Sequence, residues 1–134
     1  MLTENEVVKF TAKFLKENGY DINKINSTND RGYDIVAEKN GVPLYIEAKG
    51  QTSANKNSNR YGLEFDSGQK MDHVSKALYY LMKTHNMYPK SKVAIALPSD
   101  QRHLDLIENI SHSLSKLEIC VYFVSENGLV SVRN

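Results

Sequence analysis

Apolar residues return every three or four positions after a polar opening. Val7, Val8, Phe10, Phe14 and Leu15 follow Thr3-Glu4-Asn5-Glu6. That spacing puts them on one side of a helix, and Thr3 with Glu6 three residues later has the form of a capping box. Asn18-Gly19 is the expected stop, because glycine takes the left-handed conformation past a helix C-terminus without strain. Residues 20–28 alternate weakly through Ile22 and Ile25 and predict a first strand, closed by turn chemistry in Asn29-Asp30-Arg31-Gly32. Two further apolar runs, 33–38 and 42–48, flank Lys39-Asn40-Gly41. Asn-Gly between such runs is the strongest short-range signal for a hairpin, since both turn residues tolerate positive φ. Pro43 falls near the start of its strand, where a missing N–H is best tolerated.

Residues 51–62 are polar, rich in Asn and Ser, and read as a mobile loop. Asp66-Ser67 opens a second helix to about residue 85, with Met71, Val74, Ala77, Leu78 and Leu81 as its apolar face. A short buried strand, 92–97, ends at Pro98, and Ser99-Asp100 caps a helix carrying Leu104, Ile107, Ile110 and Leu114. Residues 118–124 predict a strand, which Asn127-Gly128 turns into a short partner over 129–132. The order α-βββ-α-β-α-β, with a final strand, predicts an α/β fold whose mixed central sheet is flanked by helices. With 134 residues, no repeat and no linker, the chain is expected to form one domain over 1–134.

The hairpin carries a geometry. If Asn40 and Gly41 form a two-residue turn, paired residue numbers sum to 81, and Asp34 falls opposite Glu47. Opposed side chains share a face, and Lys49, two residues beyond Glu47, points the same way. Two opposed carboxylates repel and would weaken an ordinary sheet. A divalent cation removes that repulsion, and hard cations prefer carboxylate oxygens. A neighbouring lysine can then orient a water or stabilise charge developing on a phosphate. A strand-start Asp and a surface Glu–Lys pair would show the same spacing. Against that reading, Ile35, Val36, Ile46 and Ala48 make both strands apolar enough to be central. Glu4 lies above the apolar stripe of the first helix and is expected to face the sheet, although a first-turn acid complementing the helix dipole would occupy the same position; Glu6 is explained by the capping box.

Composition narrows the function classes. No run approaches the ~18 apolar residues of a membrane span, and the polar, acidic opening is unlike a secretory signal, so a cytoplasmic protein without membrane contact is expected. A lone cysteine, Cys120, excludes an intrachain disulfide and a cysteine-based zinc site; its apolar setting marks a structural thiol. His73, His85, His103 and His112 lack close metal-ligand spacing and read as helix-surface residues. The net charge of +1 does not mark a nucleic-acid binder, but residues 49–62 hold Lys49, Lys56 and Arg60 with no acid. The same stretch also fits a solvated connector.

A first helix bearing an acid, then Gly32-Tyr33-Asp34-Ile35-Val36, a hairpin, and Ile46-Glu47-Ala48-Lys49-Gly50, resembles the PD-(D/E)XK (restriction-endonuclease-like) nuclease superfamily. The αβββαβ order of its core spans roughly residues 3–97 here, with a C-terminal helix and strands added. The chain also resembles short bacterial proteins that open as Leu2-Thr3-Glu4 does and carry the Ile46–Gly50 motif followed by Thr52-Ser53. The resemblance implies metal ligation by Asp34 and Glu47 with the Ala48 carbonyl, Lys49 near the attacking water, and Glu4 as an auxiliary acid. It implies Mg²⁺ or Mn²⁺ as cofactor. Gln51, Gln69 and Lys70, with Lys56 and Arg60 of the basic stretch, are the expected nucleic-acid contacts. One branch of the superfamily follows such a helical Gln with Tyr four residues later; here His73 follows Gln69, so that branch is not implied. The expected activity is metal-dependent DNA endonucleolysis in repair, recombination, restriction or phage defence, by a homodimer or with a partner protein. A non-catalytic nucleic-acid- or protein-binding descendant and an RNA-processing nuclease stay open, since fold alone does not choose a function.

Overall fold

The computed structural model describes residues 1–26, 32–53, 55–57, 59 and 61–134. Its elements in chain order are α1 (Glu4–Glu17), β1 (Asp21–Ile25), β2 (Ile35–Lys39), β3 (Val42–Ala48), α2 (Ser67–Met87), β4 (Lys92–Pro98), α3 (Gln101–Glu108), α4 (Ser111–Lys116), β5 (Ile119–Val124) and β6 (Val130–Arg133). The six strands form one mixed sheet in sequence order. β1, β2 and β3 pair antiparallel, β3, β4 and β5 parallel, and β5 and β6 antiparallel. The Asn29–Arg31 part of the expected turn, and Arg60, lie outside the described residues.

Alternation along the central strands builds the two sides of the sheet. Ile46, Ala48, Ala94 and Ala96 face the α1 side, against Val7, Val8 and Leu15. The small side chains at 48, 94 and 96 let that helix lie close to the sheet. Val93, Ile95 and Leu97 point the other way, into a core with Val74 and Leu81 of α2 and Ile107 of α3. Both long helices begin as their sequences predict. Thr3 and Glu6 complete a capping box on α1, and Asp66 with Gln69 completes another on α2.

Four expectations are corrected. Residues 51 and 52 are buried rather than part of a loose loop: Thr52 bridges Thr3 on one side and Glu64 on the other. On α2, Met71 is exposed and Lys70 is buried, so the inward stripe is Lys70, Val74, Ala77, Leu81 and Thr84. The helix expected after Asp100 is two helices, because regular hydrogen bonding breaks at Asn109–Ile110 before α4. Finally, His103 is wholly buried in the core and is not a helix-surface residue.

Candidate active site

The hairpin forms in the expected register. Asn40 and Gly41 have φ of 53° and 80°, and the pairs run from Lys39↔Val42 to Ile35↔Ile46, each summing to 81. Asp34 sits one step beyond the last pair, and its N–H donates to the Ile46 carbonyl at 3.1 Å. Its carboxylate oxygen Oδ2 accepts the N–H of Ala48 at 2.7 Å. A side chain thus replaces the next rung of the ladder and anchors the acid at the strand end. Glu47 shares a face of β3 with Tyr45, the side toward α2. Lys49 follows β3 directly, its N–H held by the Ala96 carbonyl at 3.0 Å.

Glu4 reaches the same place from α1 because of Gly50. A Cβ at Gly50 would lie 2.4 Å from the Glu4 nitrogen and 2.7 Å from the Thr3 carbonyl carbon. Only a residue without a side chain permits that approach. Around it, Gln51 N–H donates to the Leu2 carbonyl at 2.7 Å, and Leu2 N–H donates to Gln51 Oε1 at 2.9 Å. The first turn of α1 is thereby clamped to the end of β3. Glycine directly after the lysine was the available sequence signal for this clamp.

The electrostatics follow from that crowding. Glu4 is pushed up to about 7, first by burial and then by the charge of Asp34, with Lys49 pulling the other way. Glu47 is also pushed up to about 7, by burial, Asp34 and Glu4 against Lys49. Burial raises Asp34 too, opposed by the Ala48 N–H, Lys49 and a hydrogen bond in which Glu47 keeps the proton. Three acids and one lysine share a partly desolvated corner.

Chemically, that corner suits a hard divalent cation: its donors are carboxylate oxygens, and their mutual repulsion is what a cation would relieve. Among the described residues no three His, Cys, Asp or Glu side chains converge on one metal position. Asp34 and Glu47, completed by backbone and water oxygens, could hold such an ion.

Of the remaining expected contacts, Lys56 is exposed. Gln51 is buried in the clamp just described, and its Nε2 lies 3.4 Å from Glu64 Oε1. Gln69 Oε1 accepts the Asp66 N–H at 2.9 Å. Lys70 is buried between Glu64 (3.5 Å) and Asp100 (3.4 Å). His73, expected on the helix surface, is a neighbour of the site. Half-buried on α2, it meets Phe65 edge-on at 4.7 Å, and burial and the charge of Lys49 push it down. Its place one turn after Gln69 was the signal.

Residues 1–108 match the restriction endonuclease family Mrr_cat. The chain belongs to this family. Among curated proteins none matches it. In structure it is similar to an XisH family protein from Nostoc punctiforme PCC 73102, with 14% identity, 98% of each chain covered and a TM-score of 0.59. It is equally similar to an fdxN element excision controlling factor protein from Anabaena variabilis, with 17% identity, 98% of each chain covered and a TM-score of 0.59. At such identities the likeness is one of fold. The restriction-endonuclease-like α/β architecture is thus established, and no helix among the described residues is long and apolar enough to cross a membrane.

Proposed function

We propose that this member of the family is a divalent-metal-dependent DNA endonuclease whose site is Asp34, Glu47, Lys49 and Glu4. The observation that carries the reading is the joint desolvation of three carboxyls around one lysine where α1 meets β2 and β3. Asp34 and Glu47, with the Ala48 carbonyl, would hold Mg²⁺ or Mn²⁺, which supplies Lewis acidity and an acidified water. Asp34 stays oriented through its bond to the Ala48 N–H. Lys49 directs its ammonium at the attacking water and at the charge developing on the phosphate. Glu4 is the auxiliary acid, held in place by the Gly50 contact. Lys56, and Arg60 in the same basic stretch, would contact backbone phosphates, which position a strand without reading its bases. Gln51, Gln69 and Lys70 each have a partner within the chain. A second copy of the chain or a partner protein would set a second site on the opposite strand.

The test is cleavage of single-stranded, duplex and branched DNA, and of RNA, with and without Mn²⁺. Wild type should cut DNA only with metal, and Lys49→Ala should lose at least ~10²-fold while remaining folded. Undiminished cleavage by the variant removes Lys49 from the mechanism. Preference for RNA would move the substrate, and metal-independent binding without cleavage would favour a non-catalytic module.

A further inference from the structure

Three tyrosines stack in a row beside the acidic corner. Tyr33 directly precedes Asp34, and Tyr45 lies two residues before Glu47 on the same face of β3. Their ring centroids are 4.6 Å apart, and Tyr45 stacks in turn on Tyr88 at 5.7 Å with an interplanar angle of 23°. Tyr33 is pinned from α2, its hydroxyl accepting from Thr84 Oγ1 at 2.9 Å. Tyr88, at the end of that helix, is 49% exposed. One of its faces is backed by Tyr45.

The stretch of chain that carries Tyr88 is basic. None of the chain's 16 acids falls within residues 73–99, a stretch that holds Lys76, Lys83, Lys90 and Lys92. On α2, steps of three and four residues align His73, Lys76, Tyr80, Thr84 and Tyr88. His73 at one end of this stripe feels the charge of Lys49, and Thr84 near the other end touches Tyr33. The stripe therefore runs from the tyrosine row toward the candidate active site. Lys76 and Lys83 are both exposed.

A half-exposed aromatic ring, backed by further rings and carried on a stretch of chain with lysines and no acids, suits a polyanion that carries flat π-systems. Duplex DNA hides those faces in its own stack; an unpaired strand presents them. We propose that Tyr88, braced by Tyr45 and Tyr33, is a stacking platform for an unpaired base of the DNA strand that leads to the candidate active site, with Lys76 of the α2 stripe facing the strand's phosphates. The inference rests on the nuclease reading and narrows its substrate class to DNA with single-stranded character, such as a flap, gap or splayed junction.

Binding in EDTA tests the platform without any need for cleavage. Fluorescence anisotropy would compare a labelled oligo(dT) with a blunt hairpin duplex on wild type, Tyr88→Leu and Tyr88→Phe, each checked by thermal melting. Tyr88→Leu should weaken oligo(dT) by roughly 5- to 100-fold, the worth of one base–aromatic stack, and change duplex affinity by less than about twofold. Tyr88→Phe, which keeps the ring, should bind oligo(dT) as wild type does. Equal losses on both ligands, no loss on oligo(dT), or no binding of oligo(dT) by wild type overturns the platform. A parallel Mn²⁺ assay on flap and blunt duplex separates the two claims. Selective loss of oligo(dT) binding without cleavage of any substrate would sink the nuclease reading and leave the platform standing. Metal-dependent cleavage with an unchanged flap preference in Tyr88→Leu would do the reverse.

Discussion

Two clusters of buried charge lie at the ends of the sheet's central strands, and they are solved in opposite ways. In one, Lys70 sits between Glu64 and Asp100, while His103 Nδ1 lies 2.6 Å from Asp100 Oδ2. Burial alone would raise Asp100, but the hydrogen bonds from His103 and the charges of His103 and Lys70 outweigh it and leave the carboxyl lowered to about 2. In the other, Glu4, Asp34 and Glu47 have Lys49 as their shared cation, and all three are raised. The same fold thus contains a charge cluster balanced by its own side chains and one left short of positive charge. Burial is common to both, so it does not single out the proposed site. The sign of the imbalance does, because a missing cation is something a ligand can supply.

The comparison is broken most severely from the balanced side. Lys70→Met keeps the length of a side chain that is 5% exposed but removes the cation facing Asp100. Breaking a buried pair by deleting one partner should cost about 3–5 kcal/mol, read by denaturant unfolding. A loss of only a few tenths would mean that His103 alone balances Asp100.

The acidic corner should respond the other way. Asp34→Asn removes one charge and keeps an oxygen for the Ala48 N–H, so its metal-free melting temperature should equal or exceed that of wild type. Mn²⁺ should raise the wild-type melting temperature with concentration, since it binds the folded site and not the unfolded chain. The variant should lose most of that rise. An equal rise in both proteins would place the metal elsewhere.

The smallest effect is on pH dependence. Glu4 and Glu47 have folded pKa values of about 7 against ordinary values of 4.5, so between these limits the folded state binds more protons than the unfolded state. Stability without metal should therefore be greatest at the acid end of that window and fall as pH rises toward 7. Asp100 contributes no slope there, because its stabilisation is lost only below its ordinary value of 3.8. His73, pushed below 6.5, opposes the trend just under that value. Melting of wild type and Glu47→Gln from pH 5 to 8 isolates the acid: the variant should show the flatter profile. Parallel profiles would show that Glu47 does not titrate in this range.

Much of the candidate site's geometry was legible because it is local. Asn40-Gly41 sets a two-residue turn, a turn sets a register, and a register decides which side chains share a face. From that chain of reasoning Asp34, Glu47 and Lys49 follow with no knowledge of the rest of the molecule. The capping residues Thr3 and Asp66 placed both long helices for the same reason: a cap satisfies its own helix's N–H groups within three residues.

What the sequence determined by itself, then, was the order of the main elements, the hairpin and its register. Tertiary structure decided the rest. Periodicity made Met71 and Lys70 nearly equivalent neighbours on α2; the choice to bury the lysine depends on Asp100, thirty positions away and brought close only by β4 and the turn into α3. Gly50 looked like any glycine until the first turn of α1 came within 2.4 Å of where its Cβ would be. Tyr33, Tyr45 and Tyr88 have no common spacing, and only the packing of α2 along β3 stacks them. Such contacts have no period and no motif, because their cause is the shape of the surface between distant segments, and that surface exists only once the chain has folded.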